Sequence, residues 1–214
     1  MKIILFAAGG SIGRRIAREA TDRGHEVTAA VRDPARFEPF QGIARVVQAD
    51  ATDAASVAAS AQGADAILSA VGPNANGQAA DVLVEAARSL VAGARKAGVK
   101  RLIALGGAGS LEVAPGLAAV DTPQFPAEWK PNALAQRDAL EVYRSEAADL
   151  DWTYISPAAI IAPGERTGHY RVGFEQMLFD EKGESRISIE DYAVAMIDEL
   201  EKAKHIRKRI TVTY

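Results

Sequence analysis

The chain alternates between short, wholly apolar runs and longer stretches in which apolar residues recur at helical spacing. Residues 3–7 form an apolar run, which predicts a strand buried on both faces. After Gly9 and Gly10 the spacing becomes helical, with charged residues on the opposite side. The apolar stripe of this helix consists of Ile12, Ile16, Ala17 and Ala20. The chain therefore begins with a strand, a glycine turn and an amphipathic helix.

The same alternation continues and predicts an α/β fold with a doubly wound parallel sheet of the Rossmann type. Further strands are predicted at residues 26–31, 43–49, 66–71, 102–105, 151–155 and 210–214. Helices are predicted over residues 53–63, from the loop at 72–77 to Gly98, from Pro131 onward, and over 193–202. Ser188, with Asp191 three residues later, is a capping box for that last helix. We expect a single domain, residues 1–214, with a small C-terminal cap on its substrate side.

The glycine turn has the chemistry of a phosphate site, because a helix N-terminus offers free amides and a positive dipole end. The candidate residues are Ala8, Gly10, Ser11, Ile12 and Gly13. Their spacing is Gly-x-x-Gly, and in the longer Gly-x-x-Gly-x-x-Gly pattern Ala7 replaces the first glycine. The pattern favours a dinucleotide site. A tight turn that binds nothing is the alternative.

The end of the second strand bears on which dinucleotide would bind. An NAD site requires an acidic residue about 20 residues after the glycines, and Arg32 stands there instead. Arginine would pair with the 2′-phosphate of NADP, with Arg36 as reinforcement and Arg14 nearby. Asp33 keeps NAD open as an alternative. We therefore expect NADP(H) to be preferred over NAD(H).

Other strand ends complete the predicted cofactor site, because ligands bind beyond the carboxyl ends of parallel strands. Asp50 is expected to accept a hydrogen bond from the adenine amino group. The remaining candidates are Ala51, Ala70, Val71, Gly72, Gly107 and Pro157.

Composition excludes several function classes. The 214 residues are 48% hydrophobic and 25% charged, with a formal net charge of −3, so no basic footprint for nucleic acid is present. The chain has no cysteine and three scattered histidines, which argues against disulfides and a metal site. No apolar run reaches membrane-span length, and the chain enters a strand at once, so we expect a cytoplasmic protein.

Several blocks of sequence resemble the atypical short-chain dehydrogenases/reductases of the NAD(P)H-flavin reductase type, similar in outline to biliverdin reductase B. The blocks span nearly the whole chain and lie at residues 7–13, 24–34, 105–111, 151–157, 163–168 and 188–193. The resemblance implies NADPH across the strand ends, and FMN or another planar acceptor stacked on the nicotinamide. It also implies an apolar acceptor pocket, whose candidate residues here are Leu111, Phe125, Trp129 and Ile160, with Phe174.

The chain departs from the ketone-reducing members of that larger family, which use a tyrosine acid and a lysine four residues later. None of the five tyrosines has lysine at that spacing, and the family serine would fall near Gly107. Ser110 is the nearest hydroxyl and the candidate catalytic residue. Hydride transfer to a flavin or quinone requires no such acid, because solvent can protonate the delocalised product. The sequence therefore favours flavin or quinone reduction.

Two alternatives remain open: a non-catalytic NADP(H) sensor of the NmrA-like type, and a divergent carbonyl reductase using Ser110 or Tyr154. If the protein is a flavin or quinone reductase, we expect residues 1–110 to hold the cofactor and residues 111–214 to hold the acceptor. A proline-rich lid loop is expected at residues 111–130. We expect a small planar acceptor as the binding partner, and neither nucleic acid nor a membrane. The expected oligomeric state is a monomer or a weak homodimer.

Overall fold

The computed structural model describes residues 1–40, 42–72 and 80–214. Strands and helices alternate through the first two thirds of this part of the chain, and short strands are added later. In chain order the elements are β1 (Lys2–Phe6), α1 (Ser11–Asp22), β2 (Glu26–Val31), β3 (Ile43–Gln48), α2 (Ala54–Ser60), β4 (Ala66–Ser69), α3 (Ala80–Ala97), β5 (Arg101–Leu105), β6 (Glu112–Ala114), β7 (Leu117–Ala118), α4 (Lys130–Glu146), β8 (Asp151–Pro157), β9 (Ile160–Ala162), β10 (Arg171–Gly173), β11 (Arg186–Ser188), α5 (Ile189–Lys202) and β12 (Lys208–Thr213).

Eight of the described strands form one sheet in the order β10-β12-β8-β5-β4-β1-β2-β3. Every pairing in it is parallel except that of β10 with β12. The predicted doubly wound Rossmann-type fold is confirmed, because the first strand lies in the middle and later strands extend the sheet on both sides.

Helices cover both faces of the sheet, which explains why its central strands are apolar throughout. On one face α1 and α5 pack over a core that includes Ile16 and Met196. On the other face α2, α3 and α4 pack over a core that includes Leu90 and Tyr154.

The predicted lid loop contains more regular structure than the sequence indicated. β6 and β7 form a small antiparallel hairpin, and a 3₁₀ turn follows at Ala119–Asp121. Glu112 also exchanges backbone hydrogen bonds with the 175–177 segment: its amide donates to Glu175 and its carbonyl accepts from Met177. The first part of the predicted lid is thereby attached to the segment that follows β10. The division of the chain into two halves stays a prediction.

The C-terminal cap consists of short strands that carry no periodic signal. β9 and β11 form a parallel pair outside the main sheet, and β10 adds an antiparallel edge. Ser188 is the N-cap of α5 as predicted, accepting from the Asp191 amide at 2.9 Å, although the helix begins at Ile189 rather than Ala193.

No helix in residues 1–40, 42–72 and 80–214 is long and apolar enough to cross a membrane. The same described residues contain no group of histidine, cysteine and acidic side chains that could hold a metal ion. The expected cytoplasmic location and oligomeric state stay predictions. The predicted loop at 72–77 lies outside the described residues, apart from Gly72.

Candidate cofactor-binding site

The turn between β1 and α1 presents backbone amides without partners. Gly10 is the N-cap of α1, and no side chain caps the helix. The amides of Ser11, Ile12 and Gly13 have no hydrogen-bond acceptor among the described residues. Gly10 and Ser11 are exposed. The positive end of α1 is therefore open to an anion, as the sequence predicts.

The two predicted glycines of this turn serve different purposes. A Cβ on Gly13 would lie 2.2 Å from the Ala7 carbonyl oxygen, so glycine there lets helix and strand pack closely. A Cβ on Gly10 would lie 3.5 Å from that same oxygen, which is ordinary contact. Packing within the described chain does not require glycine at position 10. The free space suits close approach of a pyrophosphate to the backbone.

A cleft of about 300 Å³ extends from this turn across the ends of β1, β2, β3 and β4. Six of the predicted cofactor residues line it: Gly10, Arg32, Asp50, Ala51, Val71 and Gly72. Thr52 and Val82, which the sequence analysis did not single out, line it as well. The structure thus brings together residues from four strand ends, at the edge where a doubly wound sheet binds ligands.

The other predicted cofactor residues lie around the cleft. Ser11, Ile12 and Gly13 belong to the adjoining first turn of α1. Ala8, Ala70 and Pro157 are buried at the ends of β1, β4 and β8. Arg36 is exposed in a 3₁₀ turn, and Gly107 lies against the Gln136 side chain at the end of β5.

Asp50 has one carboxylate oxygen committed and the other available. Its Oδ1 accepts from the Thr52 amide at 2.9 Å and from the Thr52 hydroxyl at 2.8 Å, while Oδ2 has no donor among the described residues. The hydrogen bond from the Thr52 amide lowers the pKa of Asp50, and burial acts in the opposite direction. The Thr52 hydroxyl and the charge of Arg32 lower it further, so the pKa of Asp50 lies below its usual range. Asp50 is therefore a carboxylate at neutral pH and can accept from an amino group.

Arg32 is exposed at the mouth of the cleft, and no side-chain hydrogen bond holds its guanidinium among the described residues. Asp33, the alternative acidic residue, caps the following turn by accepting from the Ala35 amide at 3.0 Å. The cation at the end of β2 is thus the more available of the two for a ribose substituent.

Arg14 has a partner set that the sequence analysis did not find. Its guanidinium lies 5.7 Å from the ring centroid of Phe37 and 5.3 Å from that of Phe40, and its Nε donates to the Gly9 carbonyl at 3.2 Å. These contacts hold a second cation beside the glycine turn. Phe37 and Phe40, three residues apart and shortly after Arg32, are the feature of the sequence from which these contacts could have been expected.

The structure places the predicted acceptor-side residues in different environments. Leu111 is fully buried, and Phe125 is half-buried near Gly109. Trp129, Ile160 and Phe174 are exposed, with Trp129 immediately before α4 and Ile160 in β9. A role of these residues in binding an acceptor stays a prediction.

Ser110 is held by a buried arginine. Arg209, 4% exposed, donates from Nη1 to the Ser110 hydroxyl at 2.9 Å and from Nη2 to the Ser110 carbonyl at 3.2 Å. Arg209 also pairs with Glu175. These contacts connect Ser110, just before β6, to Arg209 in β12 and through it to Glu175. A catalytic role of Ser110 stays a prediction.

All five tyrosines lie in the described part of the chain, and none presents a hydroxyl to the cleft. Tyr143, Tyr154 and Tyr192 are buried within the two cores. The Tyr170 hydroxyl donates to Asp198 and that of Tyr214 to Asp191. Burial raises the pKa of Tyr154, whose hydroxyl donates to Gln136.

The geometry of a dinucleotide site agrees with a comparison against known families. The family described as NAD(P)H-binding matches residues 7–200. This chain belongs to that family. The match begins at Ala7 in the glycine turn and ends in α5, so it includes every residue that lines the cleft except Phe6.

Solved structures of other proteins share the NAD(P)H-binding fold over the whole chain. A protein from Burkholderia pseudomallei, provisionally assigned as exported, is 50% identical with a TM-score of 0.91, covering 100% of both chains. A provisionally assigned epimerase from Bacteroides thetaiotaomicron is 40% identical with a TM-score of 0.90, covering 100% of this chain and 96% of that one. A provisionally assigned NADH-flavin reductase from Streptococcus pneumoniae TIGR4 is 36% identical with a TM-score of 0.84, covering 100% and 99%.

Proposed function

We propose that this member of the NAD(P)H-binding family is an NADPH-dependent oxidoreductase that reduces a flavin, a quinone or a similar planar acceptor. Its relatives carry two different assignments, epimerase and flavin reductase. The observation that supports flavin or quinone reduction for this chain is the state of the tyrosines. A sugar epimerase or a ketone reductase needs a hydroxyl group that exchanges a proton with the oxygen on the reacting carbon, and the five tyrosines offer none to the cleft.

The chain's own residues would hold the cofactor at the strand ends. The free amides of the first turn of α1 would bind the pyrophosphate, with space left by Gly10. Asp50 Oδ2 would accept from the adenine amino group, and Arg32 would pair with a 2′-phosphate. Val71 and Gly72 at the end of β4 would line the path toward the acceptor side.

Bound NADPH supplies a hydride, so the acceptor gains two electrons and one hydrogen. The second hydrogen enters as a proton, and water supplies it because the negative charge of a reduced flavin or quinone is delocalised. The protein's task is to hold two planar groups in contact and to exclude competing reactions. A site without a phenolic acid is sufficient for that task.

The first experiment is NADPH oxidation by the purified protein, with and without FMN, riboflavin and a simple quinone, and with NADH as the comparison. Acceptor-dependent turnover that is faster with NADPH supports the proposal. Reduction of simple ketones with no turnover on flavins or quinones contradicts it.

A non-catalytic NADP(H) sensor is the second candidate, and the exposed apolar side chains favour it. Trp129 is 57% exposed and Ile160 is 61% exposed, and exposed apolar side chains of this size are typical of protein–protein contacts. Tight NADPH binding with no turnover on any acceptor, together with different affinities for NADPH and NADP⁺, would establish the sensor instead.

A further inference from the structure

Arg15 connects the glycine turn to the C-terminal cap. Its Nη1 atom donates to the Ser11 hydroxyl at 3.1 Å and to the Ser11 carbonyl at 3.2 Å, one turn back along α1. Its Nε atom donates to Glu190 Oε1 at 2.9 Å, in the first turn of α5. The other carboxylate oxygen of Glu190 accepts from the Gly164 amide at 2.8 Å. The guanidinium is therefore held from two sides.

The contact with Arg15 limits the directions in which the Ser11 hydroxyl can donate. The hydrogen bond accepted from Arg15 is the only one that this hydroxyl makes among the described residues, so its own hydrogen has no acceptor there. Side chains of a helix tilt toward its amino end, so the exposed Ser11, the first residue of α1, extends toward the free amides of that end. Because a donor occupies one side of the oxygen, the O–H bond points away from Arg15. The hydroxyl is thus able to donate to an anion at the helix end.

The charge of Arg15 is balanced by its partner. The side chains of Arg15 and Glu190 are 33% and 21% exposed, so the pair is half-buried between α1 and α5. Opposite charges in contact largely cancel at a distance, and an ion pair therefore attracts an anion weakly. What Arg15 can contribute to anion binding is the orientation of Ser11 rather than net charge.

We propose that Arg15 is a positioning residue of the cofactor site: it orients the Ser11 hydroxyl to donate to the pyrophosphate, and Glu190 holds Arg15 in place. The inference rests on the cofactor site of the proposed function, and it adds one side-chain donor to the backbone amides. The pyrophosphate is common to NADP(H) and NAD(H), so this donor strengthens the binding of both. In this it differs from Arg32, which acts on the 2′-phosphate alone.

The test is a double-mutant cycle of Ser11→Ala and Arg15→Met, with Arg18→Met as the matched control. Arg18 lies on α1 about two turns beyond Ser11, and its side chain is 79% exposed and pairs with Asp22 at 3.7 Å. Isothermal titration measures the Kd of each variant for NADP⁺, for NAD⁺ and for adenosine 2′-phosphate, which has no pyrophosphate. Thermal unfolding without cofactor shows that each variant is folded.

We expect Ser11→Ala to raise the Kd for NADP⁺ and for NAD⁺ about tenfold, the loss of one hydrogen bond to a charged group, and Arg15→Met to raise both about fivefold. The Kd for adenosine 2′-phosphate stays at the wild-type value in both variants. The double variant binds within about twofold of Ser11→Ala, because Arg15 acts through Ser11. The control binds all three ligands like the wild type.

Arg15→Lys is a second variant in case Arg15→Met does not fold. Lysine keeps the charge but lacks the rigid fork of donors that contacts Ser11 and Glu190 together. We expect it to weaken NADP⁺ binding nearly as much as Arg15→Met, and wild-type affinity in this variant overturns the inference. Additive effects of Ser11→Ala and Arg15→Met overturn it as well, and so does an equal loss of affinity for adenosine 2′-phosphate.

These binding measurements do not depend on turnover, so the two proposals can fail separately. Non-additive effects on cofactor binding, in a protein that reduces no acceptor, support the role of Arg15 and overturn the proposed reductase. Reduction of a flavin or quinone together with additive effects overturns the role of Arg15 and leaves the proposed function intact.

Discussion

At the scale of single residues, Arg32 is the side chain on which cofactor preference depends. It is the cation at the mouth of the cleft, and Asp50 is its acidic neighbour. Arg32→Glu replaces a partner of the 2′-phosphate with a like charge. We expect the Kd for NADPH to rise by one to two orders of magnitude, about the value of a charge-assisted hydrogen bond, and the Kd for NADH to change much less.

Arg45→Glu is the control for this substitution. Arg45 is exposed in β3 and does not line the cleft, so the same charge change there should have a small effect. Isothermal titration with both cofactors checks the prediction. If NADPH and NADH weaken equally in Arg32→Glu, the 2′-phosphate role is wrong.

Ala7 carries the backbone strain of the glycine turn. Its φ is 58°, in the left-handed region that glycine adopts freely and that costs an alanine about 1–2 kcal/mol. Ala7→Gly should therefore stabilise the cofactor-free protein by up to about 1 kcal/mol and raise the Tm by about 2–4 °C. Thermal unfolding monitored by circular dichroism measures the shift.

Ala8→Gly is the matched control, because Ala8 is fully buried and its φ is not positive. That substitution removes a packed methyl group and adds backbone freedom, so it should lower the Tm. A lower Tm in Ala7→Gly as well would show that the strain at position 7 is negligible.

The position of a residue in the fold could be predicted where local sequence determines it. Arg32 directly follows β2 and Asp50 comes two residues after β3, so both line the cleft, and the end of a strand can be read from its apolar run. The surroundings of Ser110 could not be read in this way. Its partner Arg209 lies 99 residues later, and only the pairing of β12 with β8 brings that arginine beside it.

At the scale of elements, the N-cap of α5 joins three parts of the chain. The Ser188 hydroxyl accepts from the Asp191 amide, donates to the Glu165 carbonyl at 2.8 Å, and lies 2.8 Å from the Tyr214 hydroxyl. Ser188→Ala should lower the free energy of unfolding by about 1–2 kcal/mol, the range for a lost N-cap. Urea unfolding measures the change.

Ser145→Ala serves as the comparison for that loss. Among the described residues, the Ser145 hydroxyl bonds only to the Glu141 carbonyl on the exposed side of α4, an interaction that adds little to helix stability. The variant should unfold within about 0.5 kcal/mol of the wild type. An equal effect of both substitutions would mean that the cap does not stabilise α5 in particular.

The elements that the sequence predicted are those with enough residues to show a period. The long helices and the buried strands of the main sheet lie within a few residues of their predicted bounds. The missed strands β6, β7, β9, β10 and β11 have two or three residues each. A strand that short shows no alternation, and its position depends on distant partners such as the pairing of β10 with the C-terminal strand.

At the scale of the whole molecule, buried carboxylates fasten the C-terminal cap to the sheet core. Glu19 in α1, 4% exposed, pairs with Arg166 from the loop before β10 and with Arg23. Asp191 in α5 is fully buried and accepts from the Thr167 hydroxyl, the Gly168 amide and the Tyr214 hydroxyl. The final residue and the loop at 163–168 are thus held by acidic groups.

These carboxylates make the stability of the folded protein dependent on pH. The hydrogen bond from Arg166 lowers the pKa of Glu19. Burial raises the pKa of Asp191, but the hydrogen bonds that this carboxylate accepts lower it by more. Both pKa values therefore lie below those of the unfolded chain. The unfolded values are about 4.3 for glutamate and 3.9 for aspartate. As pH falls past these values, the unfolded chain binds protons before the folded one does. The stabilisation is therefore complete near neutral pH and is lost as pH falls through the folded pKa values.

Asp191→Asn tests the contribution of the most buried of these groups. The amide keeps the shape of the carboxylate but cannot accept from three donors and carries no charge, so the variant should be less stable than the wild type at pH 7. The difference in free energy of unfolding should shrink as pH approaches 3.5, because the unfolded wild-type chain then begins to bind a proton at this carboxyl while the folded protein does not. Urea unfolding of both proteins between pH 7 and pH 3.5 measures this convergence. A difference that stays constant across that range would show that the ionised state of Asp191 does not hold the cap in place.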